Sequence, residues 1–206
     1  MSKLTVYFRR LMKKQPKNKN IDALDRIEFA QKIVPSFKNE NISLPSKLDL
    51  RIQEIVTAVK SNSGVTVLFV GSSGKTMAEV LGKKLGLPIY RIDLSQVINK
   101  YIGETEKNLG RIFDSAENID FILLLDEGDA LFSQETEVND AHDRYANLSV
   151  NYLLERMERS RIPIILAINQ KKPLSEDFER KIRDIIDFSV YEFEDDSKFK
   201  KFHKLG

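Results

Sequence analysis

The chain contains no cysteine, and only two of its 206 residues are histidine. Without cysteine, disulfides, thiol catalysis and zinc thiolate sites are excluded. The two histidines, His142 and His203, lie far apart in the sequence, so neither has the spacing of a metal ligand pair. No apolar run approaches the roughly 18 residues of a membrane span, and the N-terminus lacks the apolar core of a secretory signal. These absences predict a cytoplasmic protein.

The composition that is present is typical of a soluble globular protein, with 41% apolar and 31% charged residues. A length of 206 residues is enough for one well-buried domain and too short for two large ones. The net charge of +2 is unevenly distributed, because residues 1–20 carry seven Lys or Arg and no acid. The other 186 residues hold 26 basic and 31 acidic side chains, which is a net charge of −5.

Residues 1–20 form a basic arm whose apolar residues Leu4, Phe8, Leu11 and Met12 fall at helical spacing. A basic amphipathic helix can lie on an anionic membrane or dock on a partner. The alternative is a solvated tail that is at most partly ordered, which we favour because chain termini are commonly of this kind. No interleaved aromatic residues form a platform for stacking bases, so we expect no nucleic-acid partner.

The pattern of residues 21–63 predicts a helical N-terminal segment. Its first helix has an apolar stripe and stops before Pro35; the stripe is Ile21, Leu24, Ile27, Ala30 and Val34. Residues 36–47 are polar and read as a connector. A second helix opens at Pro45, and its stripe is Leu48, Ile52, Ile55, Val56 and Val59. The run from Ser61 to Gly64 ends it.

From Gly64 onward, apolar runs of strand length alternate with helical patterns. The predicted strands are residues 65–70, 88–93, 121–125, 163–168 and 186–191. The predicted helices are residues 75–85, 104–117, 144–159 and 175–183. Near-continuous apolar strands alternating with helices predict a parallel sheet covered on both faces. Ligands of such folds bind beyond the carboxyl ends of the strands.

The first strand leads into Gly71-Ser72-Ser73-Gly74-Lys75-Thr76, a turn and helix start suited to nucleotide phosphate. Backbone N–H groups and the helix dipole attract the anion. Lys75 would reach the terminal phosphates, and the Thr76 hydroxyl would ligate Mg²⁺. The usual spacing is G-x-x-x-x-G-K-[ST], and this loop is two residues shorter. Full length would return only if Val70 left the strand or the helix started later.

Polar residues also follow two later strands. Asp126 and Glu127 come directly after an apolar run, where Asp126 could hold Mg²⁺ and Glu127 could deprotonate an attacking water. Two acids can equally do no more than cap a strand. Asn169 follows the run from Ile164 to Ile168 and could contact the γ-phosphate or the water, although asparagine is also a common turn former. All three sites end parallel strands, so we expect them along one sheet edge.

The chain from about Gly64 to Phe193 resembles the core of an AAA+ ATPase, and in particular a bacterial subgroup of that family. The resemblance covers about two-thirds of the chain in continuous order. The matching text is Gly86-Leu-Pro-Ile-Tyr-Arg-Ile-Asp-Leu-Ser95, Asn99-Lys-Tyr-Ile-Gly-Glu-Thr-Glu-Lys-Asn-Leu109, Asp126-Glu-Gly-Asp-Ala-Leu-Phe132, Asp140-Ala-His-Asp-Arg-Tyr-Ala-Asn147 and Asn151-Tyr-Leu-Leu-Glu-Arg-Met-Glu158.

The resemblance implies an α/β fold, a P-loop NTPase three-layer sandwich with a five-stranded parallel sheet. It assigns residues 64–193 to an AAA+ nucleotide-binding core, with ATP and Mg²⁺ as cofactors. Lys75 and Thr76 match the Walker A motif. Asp126 and Glu127 match the Walker B acids, and Asn169 matches sensor 1.

The resemblance also implies residues that act in an assembly. Tyr101-Ile102-Gly103 matches the pore loop that grips a protein substrate threaded through a hexameric ring. Arg180 and Lys181 fall where relatives carry an arginine pair, one of which reaches the neighbouring subunit's nucleotide. Arginine suits phosphate better than lysine does, so Arg180 is the candidate. Outside a ring, Tyr101 would be an ordinary tyrosine.

Two departures from the family pattern leave the function open. The phosphate loop is short, and after Tyr191 only a basic tail, residues 194–206, stands where relatives continue into a helical lid. One interpretation is a Mg²⁺-dependent ATPase that remodels or threads a protein in a ring. Another is a degenerate subunit that binds nucleotide weakly or not at all and docks on partners, such as a complete AAA+ subunit. A third is a fragment of a longer protein.

Overall fold

The computed structural model describes residues 30–35, 44–61, 64–98, 104–116, 120–132, 141–171, 173–174 and 176–191. The strands in these ranges are β1 (Ala30–Ile33), β2 (Thr66–Val70), β3 (Ile89–Asp93), β4 (Ile122–Asp126), β5 (Ile164–Ile168) and β6 (Asp184–Asp187). The helices are α1 (Ser46–Lys60), α2 (Gly74–Leu85), α3 (Leu94–Ile98), α4 (Glu104–Ala116), α5 (Asp129–Phe132), α6 (Ala141–Arg159) and α7 (Glu176–Lys181).

The described strands form one sheet of six, in the spatial order β1-β3-β4-β5-β2-β6. Strands β2 to β6 pair with one another in parallel. Every residue of β2 and β5 is buried, as expected for central strands covered on both faces. The predicted α/β fold with a parallel five-stranded sheet is therefore confirmed, and the sheet has one further strand.

The further strand corrects a prediction, because residues 30–33 form β1 and not the end of a helix. Strand β1 runs antiparallel to β3 and pairs Ala30 with Ile92 and Ile33 with Ile89. The prediction counted Val34 in the helical stripe, yet Val34 is 52% exposed. Without β1, one edge of β3 would present unpaired backbone groups, and the antiparallel pairing satisfies them. Residues 1–29, and with them the basic arm, lie outside the described residues.

The last predicted strand also differs from the structure. It was expected over residues 186–191, whereas β6 ends at Asp187 and a 3-10 helix follows over Phe188–Val190. The Asp187 carboxylate accepts hydrogen bonds from the Ser189 N–H at 3.0 Å and from its hydroxyl at 2.5 Å. A side-chain acceptor two residues upstream offers the backbone a turn in place of the sheet ladder. The short helices α3 and α5 were likewise not predicted.

Helices pack on both faces of the sheet and complete the three layers. One face carries α1 and α2, whose buried residues, such as Leu48 and Met77, share a hydrophobic cluster with Phe69 and Leu124 of the sheet. The opposite face carries α3, α4, α6 and α7, whose apolar residues share a cluster with Leu68, Leu123 and Leu166. Because successive side chains of a strand point to opposite faces of the sheet, each buried strand contributes apolar residues to both clusters. In the part of the chain described, no helix combines the length and apolarity needed to cross a membrane.

Candidate functional site

The carboxyl ends of β2, β4 and β5 surround a polar cleft of about 240 Å³. Most of the residues singled out in the sequence meet there. The lining consists of Gln31, Gly71, Ser72, Gly74, Lys75, Arg91, Asp126, Glu127, Ala167, Ile168 and Asn169. Ser73 and Thr76 belong to the same loop and helix start but do not line the cleft, and Thr76 is buried.

The loop between β2 and α2 is as short as the sequence indicates. Strand β2 includes Val70 and α2 starts at Gly74, so neither the strand nor the helix is shortened to lengthen the loop. The Gly74 N–H donates to the Gly71 carbonyl at 3.1 Å, which closes a tight turn. Gly71 has a φ of 109°, a conformation that glycine adopts without strain. Its N–H donates to the Ile168 carbonyl at 2.8 Å.

These bonds limit how many backbone donors the loop can offer to an anion. The N–H groups of Gly71 and Gly74 are both engaged within the protein. Among the described residues, no backbone oxygen accepts from the N–H groups of Ser72, Ser73, Lys75 or Thr76. The last two belong to the first turn of α2, where N–H groups have no partner inside the helix. The loop therefore keeps free donors at a helix start, which is a chemistry suited to phosphate.

Asp126 is the last residue of β4 and Glu127 follows it, and both side chains line the cleft. Asp126 Oδ1 accepts from the Glu127 N–H at 3.0 Å. Glu127 has a φ of 56°, which is a left-handed conformation and strained for a residue with a side chain. Such strain is commonly held at functional sites by the surrounding structure. The next residue holds Glu127 in this conformation, because the Gly128 N–H donates to the Ala167 carbonyl at 2.8 Å.

Asn169 comes from the neighbouring strand and meets the acids as predicted. Its amide Nδ2 lies 3.4 Å from Glu127 Oε2, a long and weak hydrogen bond. Its backbone N–H donates to Asp129 Oδ2 at 2.6 Å. Asp129 thus fixes the backbone of Asn169, while the side-chain amide stays adjustable beside Glu127.

Arg91 is a residue of this cleft to which the sequence analysis gave no role. Its Nε donates to Asp126 Oδ2 at 2.5 Å, and the two side chains are 22% and 14% exposed. The sequence did contain a signal for this residue, because an arginine interrupts the otherwise apolar start of β3, between the buried Tyr90 and Ile92. A charged residue at such a position requires a partner, and the partner lies 35 residues away on the adjacent strand.

Two further acids near the cleft have shifted pKa values. Burial would raise the pKa of Asp93, but hydrogen bonds from Ser95 and Gln96 and the charge of Arg91 together lower it. Burial raises the pKa of Glu79, one helical turn after Lys75, against the opposing attraction of the Lys75 charge. The cleft therefore contains two cations, Lys75 and Arg91, each close to carboxylates.

Gly128 lies where the structure leaves no room for a side chain. A Cβ there would approach the Ala167 carbonyl oxygen and Leu166 Cδ1 to 2.8 Å each. We expect Gly128→Ala to lower the free energy of unfolding by about 1–3 kcal/mol, the usual cost of overpacking. Urea denaturation of the two proteins measures the difference.

Gly74→Ala is the matched control for that substitution. A Cβ at Gly74 would meet its closest neighbour, the Ala167 Cβ, at 3.2 Å and no backbone atom. Its destabilisation should be clearly smaller than that of Gly128→Ala. Equal losses in the two variants would contradict the packing argument for Gly128.

The remaining predicted site residues lie elsewhere. Arg180 is exposed on α7, away from the cleft lining, and its Nε donates to the Glu176 carbonyl at 3.3 Å. Lys181 forms an ion pair with Glu158 at 3.1 Å. The segment Tyr101-Ile102-Gly103 lies outside the described residues.

Comparison with known proteins gives a family match. The family model "ATPase family associated with various cellular activities (AAA)" matches residues 67–190, which include β3 to β6, all of β2 but Thr66, and the whole cleft except Gln31. The chain is 41% identical over 68 residues to AAA family ATPase y4kL of Sinorhizobium fredii, which covers 32% of this chain and 21% of that protein.

Longer matches at lower identity agree with it. Cell division protein C of Sulfolobus acidocaldarius is 28% identical over 130 residues, covering 58% of this chain and 35% of that protein. A proteasome-activating nucleotidase of Pyrococcus abyssi is 28% identical over 137 residues, covering 64% and 34%. The chain thus spans between about a fifth and a third of the length of these curated relatives.

Solved structures share the fold. The crystal structure of the FIGL-1 AAA domain superposes with a TM-score of 0.60 at 19% identity, covering 85% of this chain and 62% of that one. The same domain in complex with ADP gives a TM-score of 0.61 at 16% identity, covering 84% and 62%. Since the family model matches more than half of the chain, the protein belongs to the AAA family of ATPases.

Proposed function

We propose that the cleft binds ATP with Mg²⁺ and that the chain hydrolyses it. The observation that carries the proposal is the meeting of Lys75, Asp126, Glu127 and Asn169 around one polar cleft. A cation, a pair of acids and an amide are the groups that phosphoryl transfer to water requires. Membership of an ATPase family and a structural neighbour that holds ADP support the same chemistry.

Lys75 would bind the terminal phosphates, and Gly71 to Thr76 would surround them. The donors are the N–H groups from which no described backbone oxygen accepts, those of Ser72, Ser73, Lys75 and Thr76. A charge-assisted hydrogen bond is roughly twice as strong as a neutral one. Two of the six residues have their N–H groups engaged, so we expect weaker ATP binding than a full-length loop would give.

Thr76 and Asp126 are the residues that would hold Mg²⁺. Mg²⁺ is usually bound by one or two protein groups together with phosphates and waters. Each Asp126 oxygen accepts one hydrogen bond, and a carboxylate oxygen has a second lone pair for a metal-bound water. The ion would neutralise charge on the transferring phosphate.

Glu127 would act on the attacking water. Its carboxylate lies at the cleft and keeps one oxygen free of Asn169. It can accept a proton from a water aligned with the γ-phosphate. The Asn169 amide, held through its backbone by Asp129, would orient the water or the γ-phosphate.

Arg180 and the segment Tyr101-Ile102-Gly103 would act only in an assembly. Arg180 is exposed and lies outside the cleft of its own chain, which suits a residue that reaches the nucleotide of a neighbouring copy. We propose a ring of such copies, or of this chain with complete AAA+ subunits, that remodels or threads a protein. Residues 64–193 would be its nucleotide-binding core.

A degenerate subunit is the second candidate function, and the closed turn from Gly71 to Gly74 favours it. This turn uses the Gly74 N–H on the loop's own carbonyl. A loop that bonds to itself cannot wrap a phosphate with those atoms. Under this reading the cleft binds nucleotide weakly or not at all, and the chain functions by docking on partners.

Titration with ATP and Mg²⁺ decides between the two functions. We expect the wild-type chain to bind a fluorescent ATP analogue, and Lys75→Ala to weaken binding at least tenfold, because a hydrogen bond to a charged group contributes about 1.5–3 kcal/mol. Lys107→Ala, which removes an exposed lysine of α4, should bind as the wild type does. If neither the wild type nor the variants bind at millimolar nucleotide, the degenerate subunit is the correct interpretation.

A further inference from the structure

The Arg91 guanidinium occupies the cleft with most of its donors unused. Its Nε is anchored on Asp126 Oδ2 at 2.5 Å. No other group among the described residues accepts from its Nη atoms. The side chain lines the same cleft as Lys75, and β1 pairs Gln31 directly beside it. An arginine presents five N–H donors in a planar fork, so four of them are available for a ligand.

Of the three acids near Arg91, only Asp126 forms a hydrogen bond with it. Asp93, on the same strand, is occupied by the Ser95 hydroxyl and by Gln96. Glu127 contacts Asn169. Asp126 is therefore the carboxylate that orients the guanidinium. Only Nε of Arg91 is bonded to Asp126, so the Nη donors of its planar fork are left for a ligand.

We propose that Arg91 is a second phosphate-binding residue, which together with Lys75 binds the terminal phosphates of a nucleoside triphosphate. This inference rests on the proposed function and names a binding residue that it did not include. The planar fork matches two phosphate oxygens at once. Arg91 thereby compensates for the N–H groups that the short loop lacks.

A consequence follows for the metal. With Lys75 and Arg91 both on the phosphates, part of the triphosphate charge is neutralised by the protein itself. Asp126 is at the same time engaged by a cation before any metal arrives. ATP should therefore bind measurably without Mg²⁺, and this metal-independent binding should depend on Arg91.

The test measures ATP binding to the full chain in EDTA and again in Mg²⁺, by calorimetry. Arg91→Gln removes the charge and keeps a polar side chain of similar length. Arg111→Gln is the matched control, because Arg111 is an exposed arginine of α4 outside the cleft. Arg91→Lys retains the charge without the fork and serves as a second variant if Arg91→Gln does not fold.

We expect the wild type and Arg111→Gln to bind ATP in EDTA, and Arg91→Gln to bind at least tenfold more weakly there. Arg91→Lys should fall between them. If the wild type binds and the Arg91 variants equal Arg111→Gln, the inference is overturned while ATP binding stands. If the wild type binds only with Mg²⁺, the metal-independent binding is overturned, and equal affinities of Arg91→Gln and Arg111→Gln in Mg²⁺ overturn the role of Arg91 on the phosphates as well. If no protein binds ATP under either condition, the proposed function fails and the inference with it.

Discussion

Glu127→Gln is expected to bind ATP and Mg²⁺ as the wild type does and to lose about 100-fold or more of the steady-state hydrolysis rate. A positioned general base contributes roughly 10²–10⁴-fold to catalysis. Glutamine is nearly the same size and can still contact Asn169, whose amide lies 3.4 Å from Glu127 Oε2, but it cannot accept a proton. The measurement is phosphate release at saturating ATP, beside the binding titration.

Two comparisons make this result specific to Glu127. Glu54→Gln changes an exposed glutamate of α1 and should leave turnover unchanged. Asn169→Ala should slow hydrolysis less than Glu127→Gln does, because it affects the orientation of the water and not the proton transfer. Turnover equal to wild type in Glu127→Gln would remove Glu127 from the mechanism.

The central strands and the site edge could be predicted because their signals are local. The apolar runs ending at Val70, Leu125 and Ile168 have the length and composition of buried strands. In a parallel sheet, their carboxyl ends necessarily share one edge. The order of these runs was therefore enough to bring Lys75, Asp126 and Asn169 together in one cleft.

Strand β1 could not be predicted, because its conformation depends on a distant partner. Residues 30–33 are neither strongly apolar nor strictly alternating, and two of the four are exposed. Their backbone is fixed by pairing with β3, about 60 residues later in the sequence. Local propensity is a weak guide where an edge pairing decides the structure.

Arg91 was missed for a similar reason. The role of Arg91 depends on its contact with Asp126 on another strand. The sequence indicates only that a charged residue interrupts an apolar run. The closed turn from Gly71 to Gly74 was also not predicted, although the short spacing was evident. Spacing gives the number of residues in a loop but not which carbonyl receives each N–H.

Restoring the loop length should increase ATP affinity at least tenfold. We propose inserting Thr-Gly between Gly74 and Lys75, which produces the spacing G-x-x-x-x-G-K-T. The insertion adds two backbone N–H groups, and a hydrogen bond to a charged group contributes about 1.5–3 kcal/mol. The longer loop costs less than this, since even a doubling in length adds only about 0.6 kcal/mol of closure entropy. The net gain from the two added hydrogen bonds therefore exceeds the roughly 1.4 kcal/mol that corresponds to a tenfold change in affinity.

The insertion is compatible with the packing of α2. Gly74 now lies beside Ala167, and a Cβ there would be 3.2 Å from the Ala167 Cβ. The inserted glycine takes that position, so the helix start keeps a residue without a side chain. Titration of the fluorescent ATP analogue measures the gain, and urea denaturation checks that the fold is retained.

The same insertion combined with Lys75→Ala is the control, and it should remove most of the gain because added N–H groups act with the lysine on one phosphate. A folded insertion variant with unchanged affinity would show that loop length does not limit binding. The engaged N–H of Gly74 would then not be the reason for weak binding, and the cations Lys75 and Arg91 would determine the affinity instead. A gain that requires Lys75 would mean that the chain retains an ATPase site weakened chiefly by two missing residues.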